Sequence, residues 1–492
     1  MNALMPLYRG AQVKAMDRTA IETLGILGYA LMCRAGEAAW RLLRQRWPAA
    51  RCIGVACGPG NNGGDGLVLA RLAKAEGFTV LVLAPPGTSP RAKEARQALA
   101  DWRAAGGRVE TFDGLLPEAD VWVDALYGIG LARPPSDAAR AMIERINASH
   151  RPVLALDVPS GLDADTGHAA GAVVRADLTL SFIAAKRGLY TGMARDFDGE
   201  VRVDALDLKT SRLSDDAPAA WLIRPDGLSR WLAPRHANAH KGEHGHVLCV
   251  GGEVGMGGAV RLCAEAALRT GVGLASVATR SAGVAALVAA RPEAMTHAVE
   301  DADALAPLLE RATVLAVGPG LGQGDWGRAL YSAALASGKP LVLDADGLNL
   351  LAAAPRPLPQ AILTPHPGEA GRLLGITSAE VQADRFAAAA ALVRRYECVV
   401  LLKGAGTVVA APGEVPVVIG AGNPGMATGG MGDVLSGVVA ALHAQHLPAF
   451  EAAVAGALLH AAAGDTAARI GGERGLLPSD LFPYLRRLAN PE

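Results

Sequence analysis

The chain has 492 residues, 47 Lys and Arg against 48 Asp and Glu, and a formal net charge of −1. That balance excludes a general nucleic-acid or membrane-surface binder, and the length exceeds what one core organises, so two or more domains are expected. The six cysteines, at 33, 52, 57, 249, 263 and 398, include no C-x-x-C, which argues against a disulfide framework or a zinc site and for a reducing compartment.

The N-terminus has no apolar core of signal-peptide length, and no run of about 18 apolar residues occurs. A soluble, cytoplasmic protein is therefore expected. CIGVACG (52–58) predicts a buried strand, followed by a Gly-rich turn and the helix GLVLARLAKAEG. TVLVLAP (79–85), a helical pattern over 91–105, ADVWVDALYG (119–128), a helix near 136–148 and PVLALDVPSG (152–161) continue the series. Apolar runs separated by helices are the pattern of a doubly wound parallel sheet. Around 205–222 Ser, Asp and Pro cluster and the rhythm lapses, which places a linker there. The alternation restarts with HGHVLCVGG, GLASVAT, TVLAVGPG, KPLVLDADG, AILTPHPGE and CVVLLKGAGT. Helical stretches such as 257–271 and 378–396 lie between them, and consecutive helices follow from 432. The expectation is two α/β domains of unequal size, residues 1–215 and 223–490.

Six places in this scheme carry chemistry, three in each half. GPGNNGGDG (58–66) spells G-x-G-x-x-G between a strand and a helix, yet 80–88 reads VLVLAPPGT, without the acidic residue that holds a ribose. An ordinary NAD dehydrogenase is thereby excluded. Asp124, Asp157 and Ser160 stand at carboxyl ends of strands, where open α/β sheets place ligands. Asn62, Asp124 and Ser160 are oxygen donors of the kind that suits a hard cation. An aspartate there can also be a simple helix cap. Gly128 to Pro134 would be a flexible lip over the site.

The second half offers His366 between two prolines, KGAGT (403–407) joining two strands, and GNPGMATGGMGDVLSG (422–437). None is a Walker A motif. The backbone N–H groups of Gly430, Met431 and Gly432 fall where a helix begins, an end that attracts a phosphoryl group. Asp433 beside them cannot bind phosphate, but it can take the proton of an attacking hydroxyl. The helix end is expected to keep Asp433 ionised; the plainer reading is a helix cap. Asp344 and Asp346 either hold Mg²⁺ through water or only shape their turn. The histidines of HANAHKGEHGH (236–246) fit no zinc spacing.

Together NNGGDG, DALYGIG, DVPSG, HKGEHGHVLCVGG, GPGLG, LDADGLNLL, LTPHPGE, KGAGT and GNPGMATGG-x-GDVLSG resemble the bifunctional NAD(P)H-hydrate repair enzymes over nearly the whole chain. The resemblance implies a Rossmann-like epimerase domain and a ribokinase-like dehydratase domain. The first would interconvert the R and S hydrates of NADH and NADPH. The second would phosphorylate the S hydroxyl with ADP and eliminate phosphate, leaving NAD(P)H and AMP. Carried over by motif, Asn61, Asn62, Gly63, Gly64 and Asp65, then Gly128, Ile129, Gly130, Leu131, Ala132, Arg133 and Pro134, and Asp157 would bind the hydrate in the epimerase. Asn62, Asp124 and Ser160 would hold K⁺. In the dehydratase Ala259, Gly320, His366 and Asp433 would face the hydrate; Lys403, Gly404, Ala405, Gly406, Thr407 and Gly432 would bind the nucleotide. Asp433 and Asp157 are the expected catalytic residues. Mg²⁺ in the dehydratase, ADP as co-substrate, a homo-oligomer, and no nucleic-acid or membrane partner complete the expectation. Met431 departs from the small Ser or Thr expected there, which removes a hydroxyl contact to phosphate but not the N–H. The competing readings are a ribokinase-like small-molecule kinase and a first half that serves only as a binding module.

Overall fold

The computed structural model describes residues 4–130, 134–210, 213 and 216–490. The chain divides into two compact units, Pro6–Ala220, and Trp221–Glu492 with Met1–Met5. The division falls inside the expected linker. Among the described residues no helix is long and apolar enough to cross a membrane.

The first unit is built on seven parallel strands. In spatial order they are Glu110–Thr111, Thr79–Ala84, Cys52–Cys57, Val121–Ala125, Val153–Leu156, Leu178–Phe182 and Glu200–Asp204. The chain starts in the middle at Cys52–Cys57, winds outward to one edge, then returns to Val121–Ala125 and winds to the other. A crevice opens where the winding reverses, above the carboxyl ends of these two strands. Side chains alternate across the sheet. Val55 and Val123 enter one buried core, while Ala56 and Trp122 enter the other. Burial on both faces explains why the strands read as unbroken apolar runs.

The second unit carries an eleven-stranded sheet with Leu4–Leu7 at one edge and Met295–Ala298 at the other. It repeats the winding. His246–Val250 lies between Leu274–Thr279 and Val314–Val317, and Leu341–Leu343, Ala361–Leu363 and Val399–Leu402 follow in parallel. An antiparallel hairpin then adds Val408–Ala410 and Val417–Ile419.

Three local expectations are corrected. The helix after the first strand is Asn61–Ala75, so NNGGDG is helical rather than a turn before the helix. The stretch 378–396 is two helices, Ser378–Ala383 and Arg385–Tyr396, because the Asp384 side chain accepts the Ala387 N–H at 2.9 Å and caps the second. The linker span is not structureless at its end, since Ala220–Ile223 pairs in parallel with Val417–Ile419.

Candidate active sites

The reversal point of the first unit holds a cavity of about 1090 Å³. Asn61, Asn62, Asp65, Gly128, Ile129, Gly130, Pro134 and Asp157 line it, together with Asp17 and Lys186. Gly63 and Gly64 do not line it. A Cβ on Gly63 would sit 2.1 Å from the Gly58 carbonyl oxygen, and one on Gly64 would sit 2.6 Å from Met32. These glycines let the helix press on the chain below, which positions Asn62 and Asp65 over the crevice. Leu131, Ala132 and Arg133 lie outside the described residues.

Asp157 is mostly buried, and its backbone is left-handed, with φ 66°. Its carboxylate accepts from Lys186 Nζ at 2.5 Å and from the Ile129 N–H at 3.2 Å. A Cβ on Gly128 would stand 2.7 Å from Asp157 Oδ2 and 3.5 Å from Asn62 Cγ, so the lip, Asp157 and Asn62 meet at one point. Burial, then Asp157 and Asp17, push the Asp65 carboxyl well above the carboxylate range. Asp17 is raised by burial, Glu94 and Asp157.

Behind this point Asp124 is fully buried and accepts from the Ser160 N–H at 2.7 Å and the Ser160 hydroxyl at 2.6 Å. Burial raises it to about 6 against those hydrogen bonds. Both polar atoms of the Asn62 side chain are buried without a hydrogen-bond partner. A buried amide left so costs about 1–3 kcal/mol unless something else satisfies it.

In the second unit the strand Leu341–Leu343 ends at Asp344, and the strand Val399–Leu402 ends at Lys403. Lys403 Nζ lies 2.7 Å from Asp344 Oδ1 and 3.7 Å from Glu369 Oε2. Ser436, on the helix Met431–Ala444, donates to Asp344 Oδ2 at 2.8 Å. Burial opposes the charge on Asp344, but Lys403 and Ser436 hold it below its ordinary value. Glu369 moves up, through burial. A Cβ on Gly432 would come 3.2 Å from Lys403 Nζ and 3.3 Å from Asp344 Oδ2. The helix start therefore sits directly over this pair.

Asp433 is the next residue. The expectation that the helix end keeps it ionised is corrected: burial, then Asp344, raise it to about 7, which Lys403 only partly offsets. Desolvation outweighs the helix dipole here. Met431 is buried in the core, 5% exposed, so its side chain fills a packing position. Of the two aspartates considered for Mg²⁺, Asp346 shapes its loop, accepting the Gly322 N–H at 2.8 Å. Asp344 is occupied by Lys403 and Ser436.

Gly320, at φ 60°, packs against Met256, and a Cβ there would be 3.3 Å from Ala259. His366 caps the helix Pro367–Leu374, its Nδ1 accepting the Gly368 N–H at 2.9 Å. In the KGAGT loop the Thr407 hydroxyl donates to the Gly404 carbonyl at 3.0 Å. Arg385, fully buried, donates to the carbonyls of Leu402 at 3.1 Å and Lys403 at 3.2 Å. A side chain on Gly404 would strike this guanidinium at 2.8 Å. The histidines of 236–246 do not form a group: His246 is buried in the sheet against Ser276, whereas His240 is exposed. Among the described residues no three His, Cys, Asp or Glu side chains gather as for a metal ion.

Lys186, Glu369 and Arg385 were not singled out as site residues. One signal pointed to Lys186, since lysine is scarce, with only eight in the chain. Glu369, the third residue of the helix Pro367–Leu374, and Arg385, the first of the helix Arg385–Tyr396, carry no such signal.

Two family models match the chain, "YjeF-related protein N-terminus" over residues 28–188 and "NAD(P)H-hydrate dehydratase" over 247–487. The bifunctional NAD(P)H-hydrate repair enzyme Nnr of Coxiella burnetii is 49% identical over 486 residues, covering 99% of both chains. That of Escherichia coli is 47% identical over 481 residues, covering 98% of this chain and 93% of its own. Among solved structures, a hypothetical protein of Streptococcus mutans matches 55% of this chain and 98% of its own, with 32% identity and a TM-score of 0.51. A ribokinase-like superfamily protein of Enterococcus faecalis matches 55% and 96%, with 28% identity and the same TM-score. The fold is thus Rossmann-like in the first unit and ribokinase-like in the second, and the chain belongs to the bifunctional NAD(P)H-hydrate repair enzymes.

Proposed function

We propose that residues 1–215 epimerise the hydrates of NADH and NADPH and that residues 223–490 dehydrate the S form with ADP, in the cytoplasm. The observation that carries the second step is the place of Asp433, the third residue of the helix Met431–Ala444, where burial and then Asp344 raise its carboxyl to about 7. A base poised near neutral pH is matched to proton removal. Asp433 takes the proton of the hydrate's hydroxyl as its oxygen attacks the β-phosphorus of ADP. The N–H groups at Gly430, Met431 and Gly432 stabilise charge on the transferred group, and AMP leaves. Phosphate then departs from C6 of the ring as C5 loses a proton, which restores the C5–C6 double bond. Lys403 to Thr407 with Gly432 hold the nucleotide, and Ala259, Gly320 and His366 face the hydrate.

In the epimerase, Asn61, Asn62, Asp65, Gly128, Ile129, Gly130, Pro134 and Asp157, which line the cavity, bind the ring. The oxygens of Asn62, Asp124 and Ser160 fit K⁺, and the unpartnered buried amide of Asn62 supports this. A bound K⁺ would supply positive charge that holds Asp124 ionised. The carboxylates near Asp433 do not fit a resident Mg²⁺, since Asp344 is neutralised by Lys403. We infer that Mg²⁺ arrives on the ADP phosphates as part of the substrate.

The test is to incubate the intact chain with hydrated NADH and ADP. Recovery of dihydronicotinamide absorbance with AMP and phosphate formed is the expected result. Phosphorylation of an added vitamin alcohol with no recovery would favour a kinase instead.

A further inference from the structure

Lys186 has no role in the reading above. It is fully buried yet lines the cavity. Its ammonium donates to Asp157 Oδ1 at 2.5 Å and to the Phe182 carbonyl at 2.7 Å, so two of its three donors are spent on one arrangement. The chain around it is clamped, with the Tyr8 N–H on the Ala185 carbonyl at 2.8 Å and the Arg187 N–H on the Tyr8 carbonyl at 2.9 Å. Asp157 holds a left-handed backbone, which costs a non-Gly residue about 1–3 kcal/mol and is typical of functional sites. Strain and ion pair together aim one carboxylate into the cavity.

A second carboxylate lines the same cavity, Asp65, on the helix Asn61–Ala75. The two differ in environment. Asp157 has an ammonium in contact. Asp65 has burial and two like charges, and Lys186 offsets these only in part. Two carboxyls that line one cavity, one held by an ammonium and the other not, can divide the work of base and acid in a proton-transfer site.

Resting on the epimerase reading, we propose that Asp157 is the base and Asp65 the acid of an epimerisation by ring opening, with Lys186 a positioning residue for Asp157. C6 of the hydrate carries both the hydroxyl and the ring nitrogen. Asp157 takes the hydroxyl proton, C6 and oxygen form a carbonyl, and the C6–N1 bond breaks. Asp65 gives its proton to N1. Rotation about C5–C6 presents the other face of the aldehyde. N1 then attacks C6, its proton returns to Asp65, and Asp157 gives its proton back to the oxygen. No proton, electron pair or water is gained or lost, and the carbon–oxygen bond is never broken.

The experiment uses the intact chain and purified R hydrate carrying oxygen-18 at C6, in unlabelled water. No exchange to S by the unaltered chain would refute the epimerase reading itself. Given exchange, the label is retained in the S product; loss of the whole label in a single turnover, which hydration of an aldehyde with its two equivalent oxygens does not give, would mean carbon–oxygen cleavage and would overturn the assignment of Asp65 to N1. Asp65→Asn lowers kcat about 100-fold or more, with KM within about twofold; an unchanged kcat overturns the acid role. Lys186→Met loses kcat and Lys186→Arg recovers part of it; equal rates in the two overturn the positioning role. The label is read on the unaltered chain, so it decides whether or not a variant folds.

Discussion

The two sites use one electrostatic device in two ways. Each has a lysine paired with a buried carboxylate, the buried Lys186 with Asp157 and the half-buried Lys403 with Asp344. Each also has a neighbouring carboxyl that is raised, Asp65 and Asp433. In the first unit the paired carboxylate itself lines the cavity and is the proposed base. In the second the pair is packed beneath the helix start, and the unpaired Asp433 is the proposed base. An ion pair therefore does not mark the base; what matters is which oxygen reaches the substrate. The pair's shared contribution is a fixed charge that tunes its neighbour.

The comparison breaks most visibly at Asp433. Asp433→Asn should lower ADP-dependent dehydration by about 10²–10⁴-fold while R-to-S exchange continues, both followed on the same sample. Near-normal dehydration would remove Asp433 from the chemistry. Lys403→Met should follow, because it leaves the buried Asp344 without its cation; removing one partner of a fully buried pair costs about 3–5 kcal/mol, and the partial exposure of Lys403 puts the loss at or below the lower end of that range. Urea denaturation reads that loss, and the rising, low-pH limb of the dehydration profile should move to higher pH, since Lys403 lowers Asp433.

Met431→Ser sharpens the comparison at the helix start. It should cost about 2 kcal/mol or more through the cavity left in the core. The KM for ADP should stay near its starting value, because Met431 is packed inward. A large fall in that KM would restore the hydroxyl contact expected from sequence.

The smallest effect concerns Asp124. Its folded value of about 6 exceeds the ordinary 3.8, so its favourable contribution is complete below about pH 4 and lost as pH rises through 6. In K⁺-free buffer, Tm should fall across that window. K⁺ should reduce the fall, and Asp124→Asn should show neither the fall nor the K⁺ effect.

Much of this was legible because parallel strands buried on both faces announce themselves as apolar runs, and their ends mark the crevice. Asp124, Asp157 and Ser160 could be picked out on that ground alone. Short strands such as Val417–Ile419 could not, since three residues carry no period. Lys186 was illegible as a partner because it meets Asp157 across 29 residues of chain. NNGGDG was read as a loop because glycine disfavours helix, but close packing at Gly63 and Gly64 overrides that propensity. The state of Asp433 was misjudged because local sequence displays the helix end and hides the burial and Asp344, which lies 89 positions earlier in the chain.

The pH dependence of kcat/KM for ADP-dependent dehydration bears most directly on the claim that a carboxyl raised by burial is the base. The account predicts that activity climbs with a midpoint near 7, set by the burial of Asp433 and by Asp344, and that Asp433→Asn abolishes the limb. A rate already level from pH 5 upward, or the same limb in the variant, would contradict it.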